Sequence, residues 1–157
     1  MPDTYVGKKI TRLEDDILLA GEAIFIDDIQ LDGMLHLAVV RSQMAHALIS
    51  SIDVSAARDV PGVVAVYTID DLLPVLSQER IPENFPTPGD RVDVGPYVLA
   101  RDEVCYVGEP IVAVIAENRY IAEDAAQLVV VDYEPLPVLA DPRDAAKPDA
   151  PPVNARQ

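Results

Sequence analysis

A chain of 157 residues, half of them apolar and few aromatic, has the size of one globular domain that buries about two thirds of its unfolded surface, which excludes a largely disordered protein. Twenty-seven acidic against twelve basic residues give a net charge of −15, a field that repels phosphate backbones and argues against nucleic-acid binding. No apolar run approaches the roughly 18–20 residues of a membrane span, and residues 1–12 are too polar for a signal peptide, so a soluble, cytoplasmic protein is expected. The single cysteine, Cys105, rules out an internal disulfide and fits a reducing compartment.

In chain order, a basic start (Lys8, Lys9, Arg12) leads through Glu14-Asp15-Asp16 to Gly21. A bend there is expected to precede an extended stretch from Ala23 to Ile26. Asp32-Gly33 marks a tight turn before a strand over Leu35 to Arg41. After a loop at Ser42 to Ala45, His46 to Ile52 alternates as a second strand. Asp53 or Ser55 then caps a short helix through Asp59, since their oxygens accept from first-turn amides. Pro61-Gly62 stops it. Val63 to Thr68 is a β-branched run, with Asp70 the expected cap of one more short turn through Leu73. From Pro74 to Pro96, five prolines (Pro74, Pro82, Pro86, Pro88, Pro96) make a long loop, of a kind that is usually functional or mobile.

Order returns with a strand from Glu103 to Val107 and a turn at Gly108-Glu109-Pro110. Ile111 to Ala116 is wholly apolar, as in a strand covered on both faces. The clearest helix spans about 118–128: Asn118 is a good cap, and Ile121, Ala125 and Leu128 share one face. Val129 to Tyr133 completes a strand, helix, strand unit, whose crossover should be right-handed if the strands pair in parallel. Residues 141–157 turn rich in Pro and Ala and read as a linker or tail after a domain of residues 1–140. The fold class is α+β, with a mixed sheet, one clear helix and one or two short ones.

The residues offer little chemistry. His36 and His46 lack CxxC, HxxxH or HExxH partners, so metal-ligand spacing is absent. His36 alternates within a strand and reads as structural. His46 follows a polar loop with Arg41 and Ser42, where functional groups converge. Ser42 and His46 would make a nucleophile pair, but no Gly-x-Ser-x-Gly elbow surrounds the serine. Cys105 reads as a small apolar strand residue rather than a nucleophile. The acidic pairs Asp15-Asp16, Asp27-Asp28 and Asp70-Asp71 read as solvated surface. Gly108-Glu109-Pro110 is a turn in which glycine permits close backbone approach. There is no P-loop and no GxGxxG.

Several segments together resemble a known family. Val6-Gly7-Lys8, Gly21-Glu22-Ala23, Asp27-Asp28-Ile29, Arg41-Ser42, Ala45-His46-Ala47, Ser51-Ile52-Asp53 and Pro61-Gly62-Val63 come first. Tyr106-Val107-Gly108-Glu109-Pro110, Ala122-Glu123-Asp124-Ala125 and Val131-Asp132-Tyr133-Glu134-Pro135-Leu136-Pro137 follow in order. This series is similar to the start of the large, molybdopterin-binding subunit of the aldehyde oxidase, xanthine dehydrogenase and carbon monoxide dehydrogenase family. Gln43 stands where the family often has proline, and Ala20 where it often has threonine.

The resemblance implies an α/β hammerhead fold beside iron–sulfur and molybdopterin modules. It implies a holoenzyme oxidoreductase that uses molybdopterin, [2Fe-2S] clusters and FAD, with no cofactor bound by this chain alone. The family's molybdopterin contacts and base glutamate lie in later domains, so no residue here inherits a catalytic role, Glu109 included. The chain is then expected to be a non-catalytic structural domain or split subunit of a molybdenum hydroxylase. Arg41, Ser42, His46, Gly108 and Glu109 are the expected inter-domain contacts, since polar breaks between apolar strands sit in loops. An excised domain and a natural subunit of a split enzyme both fit. The rival readings are an independent acidic adaptor that keeps the fold, and a small hydrolase built on Ser42 and His46.

Overall fold

The computed structural model describes residues 6–81 and 95–153. Two compact units divide the chain, residues 1–34 and residues 35–157.

In the first unit, helix α1 (Asp15–Ala20) carries Asp15 and Asp16 in its first turn, where carboxylates favour the positive end of the helix dipole. It ends at Gly21, whose amide bonds to Leu18 O while Glu22 N reaches Ile17 O. The sequence reading foresaw the bend and missed the helix, because six residues are too few to display an apolar period. The extended stretch expected over residues 23–26 is also corrected: Ile26–Asp28 forms a 3-10 turn. Asp28 causes it by accepting the amide of Phe25 at 2.9 Å. Neither element of this unit has a buried residue.

The second unit holds two three-stranded sheets. In the first, β1 (His36–Arg41), β5 (Pro110–Ala116) and β3 (Val63–Tyr67) lie in the order β1-β5-β3. In the other, β4 (Glu103–Val104), β2 (Ala47–Asp53) and β6 (Val130–Pro135) lie in the order β4-β2-β6. Every pairing is antiparallel. The α+β class therefore stands, with two antiparallel sheets where one mixed sheet was expected. The parallel pairing considered for the strands flanking the main helix does not form. Both edges of β5 are taken by β1 and β3, so the chain leaving the helix passes to β2 in the other sheet. Of the strand expected over residues 103–107, only Glu103–Val104 pairs.

β5 explains why its sequence is uninterruptedly apolar. Ile111, Val112, Val114 and Ala116 are fully buried, and no residue of the strand is exposed. Helix α4 (Arg119–Ala126) starts where Asn118 Oδ1 accepts the amide of Ile121 at 2.9 Å. It packs Ala122 and Ala125 into the core over β1 and β5. Small residues let the helix approach closely, and Ala47, Val54, Ala57, Val66, Val104 and the β5 side chains complete one continuous core.

The short elements show the acidic residues at work as caps. Helix α2 (Ser55–Arg58) begins after Asp53, which accepts the amide of Ser55 at 2.9 Å. Helix α3 (Ile69–Leu72) is closed by Asp71, which accepts from both the amide and the hydroxyl of Thr68; the cap expected from Asp70 comes from its neighbour. Between α2 and β3, Gly62 adopts φ +88° and accepts Glu117 N at 2.9 Å. A Cβ there would meet Ile121 Cδ1 at 2.7 Å, so both the dihedral and the space call for glycine.

Of the proline-rich stretch, Pro82, Pro86 and Pro88 lie outside the described residues; Arg80, within it, and Tyr97, just after it, form an isolated antiparallel bridge. In the tail, Pro142–Ala145 forms one further turn, α5, capped by Asp141. The sequence reading expected no helix there.

Candidate functional site: a clasp between two sheet crossings

The chain passes between the two sheets at residues 42–46, from β1 to β2, and again at residues 105–109, from β4 to β5. Four of the five residues singled out in the sequence hydrogen-bond to one another across these crossings. Ser42 N donates to Glu109 O at 2.8 Å, and Gly108 N donates to Ser42 O at 2.8 Å. Arg41 Nη1 donates to Gly108 O at 2.9 Å. Gly108 sits at φ +93°, which turns its amide and carbonyl toward the first crossing.

Ser42 is buried. Its hydroxyl donates to Met44 O at 2.8 Å and accepts Met44 N at 3.0 Å, closing a local turn. The Glu109 side chain is 3% exposed and turns back on its own crossing, accepting Cys105 N at 2.6 Å. Burial pushes its carboxyl above the ordinary 4.5; the amides of Cys105 and Tyr106 pull it down, and the charge of Glu103 adds to the rise. Burial, with Glu103 and Glu109 nearby, pushes the Cys105 thiol up to about 11. Cys105 is thus held as a thiol, as its reading as a structural residue anticipated.

His46 is 6% exposed. Its Nδ1 lies 2.7 Å from Pro137 O and its Nε2 lies 2.7 Å from Glu103 Oε1. Both ring nitrogens are engaged, so His46 is not placed to act as a base for the Ser42 hydroxyl, and the hydrolase reading fails on geometry. His36 opens β1 opposite Ala116. Among the described residues, no group of three or more His, Cys, Asp or Glu side chains is arranged to hold a metal ion.

The sequence reading missed Glu103, the Pro137 carbonyl and Arg80. Arg80 is buried, donates to Gly95 O at 2.5 Å and stacks 4.1 Å from the centre of the Tyr97 ring. Its positive charge opposes, without reversing, the rise that burial imposes on both Glu109 and Cys105. His46 lies 57 positions from Glu103 and 91 from Pro137, so no local pattern could have paired them.

Fold and site together define a small α+β domain whose polar groups serve to join its sheets. Residues 20–137 match the family model described as aldehyde oxidase and xanthine dehydrogenase, a/b hammerhead domain, and the chain belongs to that family. It is 45% identical to the 6-hydroxypseudooxynicotine dehydrogenase complex subunit gamma of Paenarthrobacter nicotinovorans, over 90% of this chain and 18% of that protein. It is 44% identical to the carbon monoxide dehydrogenase large chain of Afipia carboxidovorans, over 93% of this chain and 17% of that one. The crystal structure of the aldehyde oxidoreductase from Desulfovibrio desulfuricans superposes with a TM-score of 0.83 at 30% identity, over 96% of this chain and 17% of that one. The chain thus spans less than a fifth of the relatives it matches. Family membership leaves the independent-adaptor reading without support.

Proposed function

We propose that this chain is a non-catalytic structural part of a molybdenum hydroxylase, packing against the molybdopterin and iron–sulfur modules of the same enzyme. The observation that carries this reading is the inward use of its polar residues. Ser42, His46 and Glu109 are buried and bonded to the chain itself, so they hold the crossings in shape rather than face a substrate. The holoenzyme's molybdopterin, [2Fe-2S] clusters and FAD belong to its other modules. The residues here do not fit a cluster: a [2Fe-2S] centre takes four protein ligands, usually cysteines, and this chain has one cysteine, held as a thiol.

Exposed apolar side chains support a packing role. Leu13, Leu19, Ile24 and Ile26 in the first unit, and Leu37, Val64 and Val130 on the strands, all face water, and extensive apolar exposure marks an interaction surface. Arg41, exposed beside the clasp, and the half-buried Gly108 form the outward side of the proposed inter-domain contact; Ser42, His46 and Glu109 set its shape from beneath. On this reading the domain runs over residues 1–140, with 141–157 as a linker or tail, and the enzyme works in the cytoplasm. No described helix is long and apolar enough to cross a membrane.

Arg41→Glu in the assembled enzyme tests the contact. The reading expects weaker association of the modules, with KM and kcat unchanged in the enzyme that still assembles. Unchanged association, or a loss of kcat in fully assembled enzyme, overturns it.

A further inference from the structure

The two acceptors around His46 fix where protons must be. A neutral imidazole has one N–H and one lone pair. The Pro137 carbonyl can only accept, so Nδ1 carries a hydrogen. Nε2 then faces Glu103 Oε1 at 2.7 Å, which without a shared proton would set two lone pairs against each other. A proton therefore sits between them. Imidazole is the stronger base by about two units, so it rests on His46 as an imidazolium paired with a carboxylate.

This pair grips one particular place. The His46 ring holds Pro137 O, and its own carbonyl accepts the amide of Leu136 at 3.0 Å. Pro137 lies just beyond the end of β6 and is the last residue of the match to the family model. We propose that His46 and Glu103 form a protonation-dependent latch that fixes the direction in which the chain leaves the hammerhead fold, closed while the pair holds its proton and open once it is lost.

Glu103, on β4, is the charged group bonded to the ring. The segment after β6 presents the neutral Pro137 carbonyl, and Glu109 and Cys105 lie close enough to Glu103 for its charge to raise the pKa of both. Burial pulls the ring's pKa down, while the Pro137 carbonyl and Glu103 together outweigh it, so the ring titrates above the ordinary 6.5. The folded value lies above the unfolded one. The latch is then fully closed below about 6.5, the ordinary histidine value, and its contribution fades as pH rises through the folded value.

The test uses the full 157-residue chain labelled uniformly with 15N and 13C, so that backbone assignment identifies His36, His46 and the Leu136 amide without any substitution. Below about pH 6 both His46 nitrogens should appear protonated, and the titration midpoint should lie above that of the urea-unfolded chain. Protection of the Leu136 amide from exchange should be lost over the same pH range, beyond the general quickening of exchange with pH. Glu103→Gln should shift the midpoint down, and His46→Gln should remove the pH step in protection. A midpoint no higher than that of the unfolded chain, or Leu136 protection that ignores the titration of the ring, overturns the proposal. The unsubstituted chain alone decides both points, so a variant that fails to fold does not shield the idea.

Discussion

Replacing Glu109 separates its two roles, as hydrogen-bond acceptor and as buried charge. Its carboxylate accepts Cys105 N at 2.6 Å from a site 3% exposed. Hydrogen bonds to charged groups contribute about 1.5–3 kcal/mol, so Glu109→Ala should lose about that much. Glu109→Gln keeps an acceptor oxygen and removes a charge that burial disfavours. It should stay within about 1 kcal/mol of the parent at neutral pH, a hydrogen bond having been kept and a desolvation cost relieved.

The pH dependence carries a sign. Because burial raises the folded carboxyl above 4.5, the folded state binds more protons than the unfolded state just above that value. Stability from this group therefore falls as pH rises through the window between 4.5 and the folded value, and is flat above it. Urea denaturation of parent and Glu109→Gln from pH 4 to 8 should show the difference moving in favour of glutamine across that window, then levelling. A flat difference curve, or equal losses for alanine and glutamine, refutes the reasoning.

Three further outcomes are expected. Gly62→Ala should cost about 1–2 kcal/mol for its left-handed backbone, in addition to a shift of Ile121, as read from urea midpoints; no loss would mean that the φ of +88° is not required. Asn118→Ala should cost about 1 kcal/mol by removing the cap of α4, and Asn118→Asp should restore most of it. Cys105, with its thiol at about 11, should alkylate far more slowly at pH 7.5 in the folded chain than in the unfolded one, and comparable rates would contradict its environment.

The strands were legible where burial left a local mark. β1, β2, β3 and β6 appear as apolar or alternating runs, and β5 as an unbroken one, because each strand's pleat decides which side chains meet the core. Asn118 and the spacing of Ile121, Ala125 and Leu128 revealed α4. Pairing was not legible: nothing within Ile111–Ala116 says that β1 and β3 occupy both its edges. α1 and α5 escaped because one or two turns are set by caps and by a closing glycine rather than by periodicity. At the site, Arg41, Ser42, His46, Gly108 and Glu109 stood out as polar breaks between apolar runs. That His46 would spend both nitrogens on Glu103 and Pro137 is a product of topology, which brings β2, β4 and the end of β6 together.

The most direct test of the central claim is purification of the native assembly containing this chain, with molybdenum and iron measured in the complex and in the chain once separated from it. A structural part of a molybdenum hydroxylase should co-purify with both metals and retain neither after separation. A chain that purifies without molybdenum- and iron-bearing partners, or that keeps either metal by itself, would contradict the account.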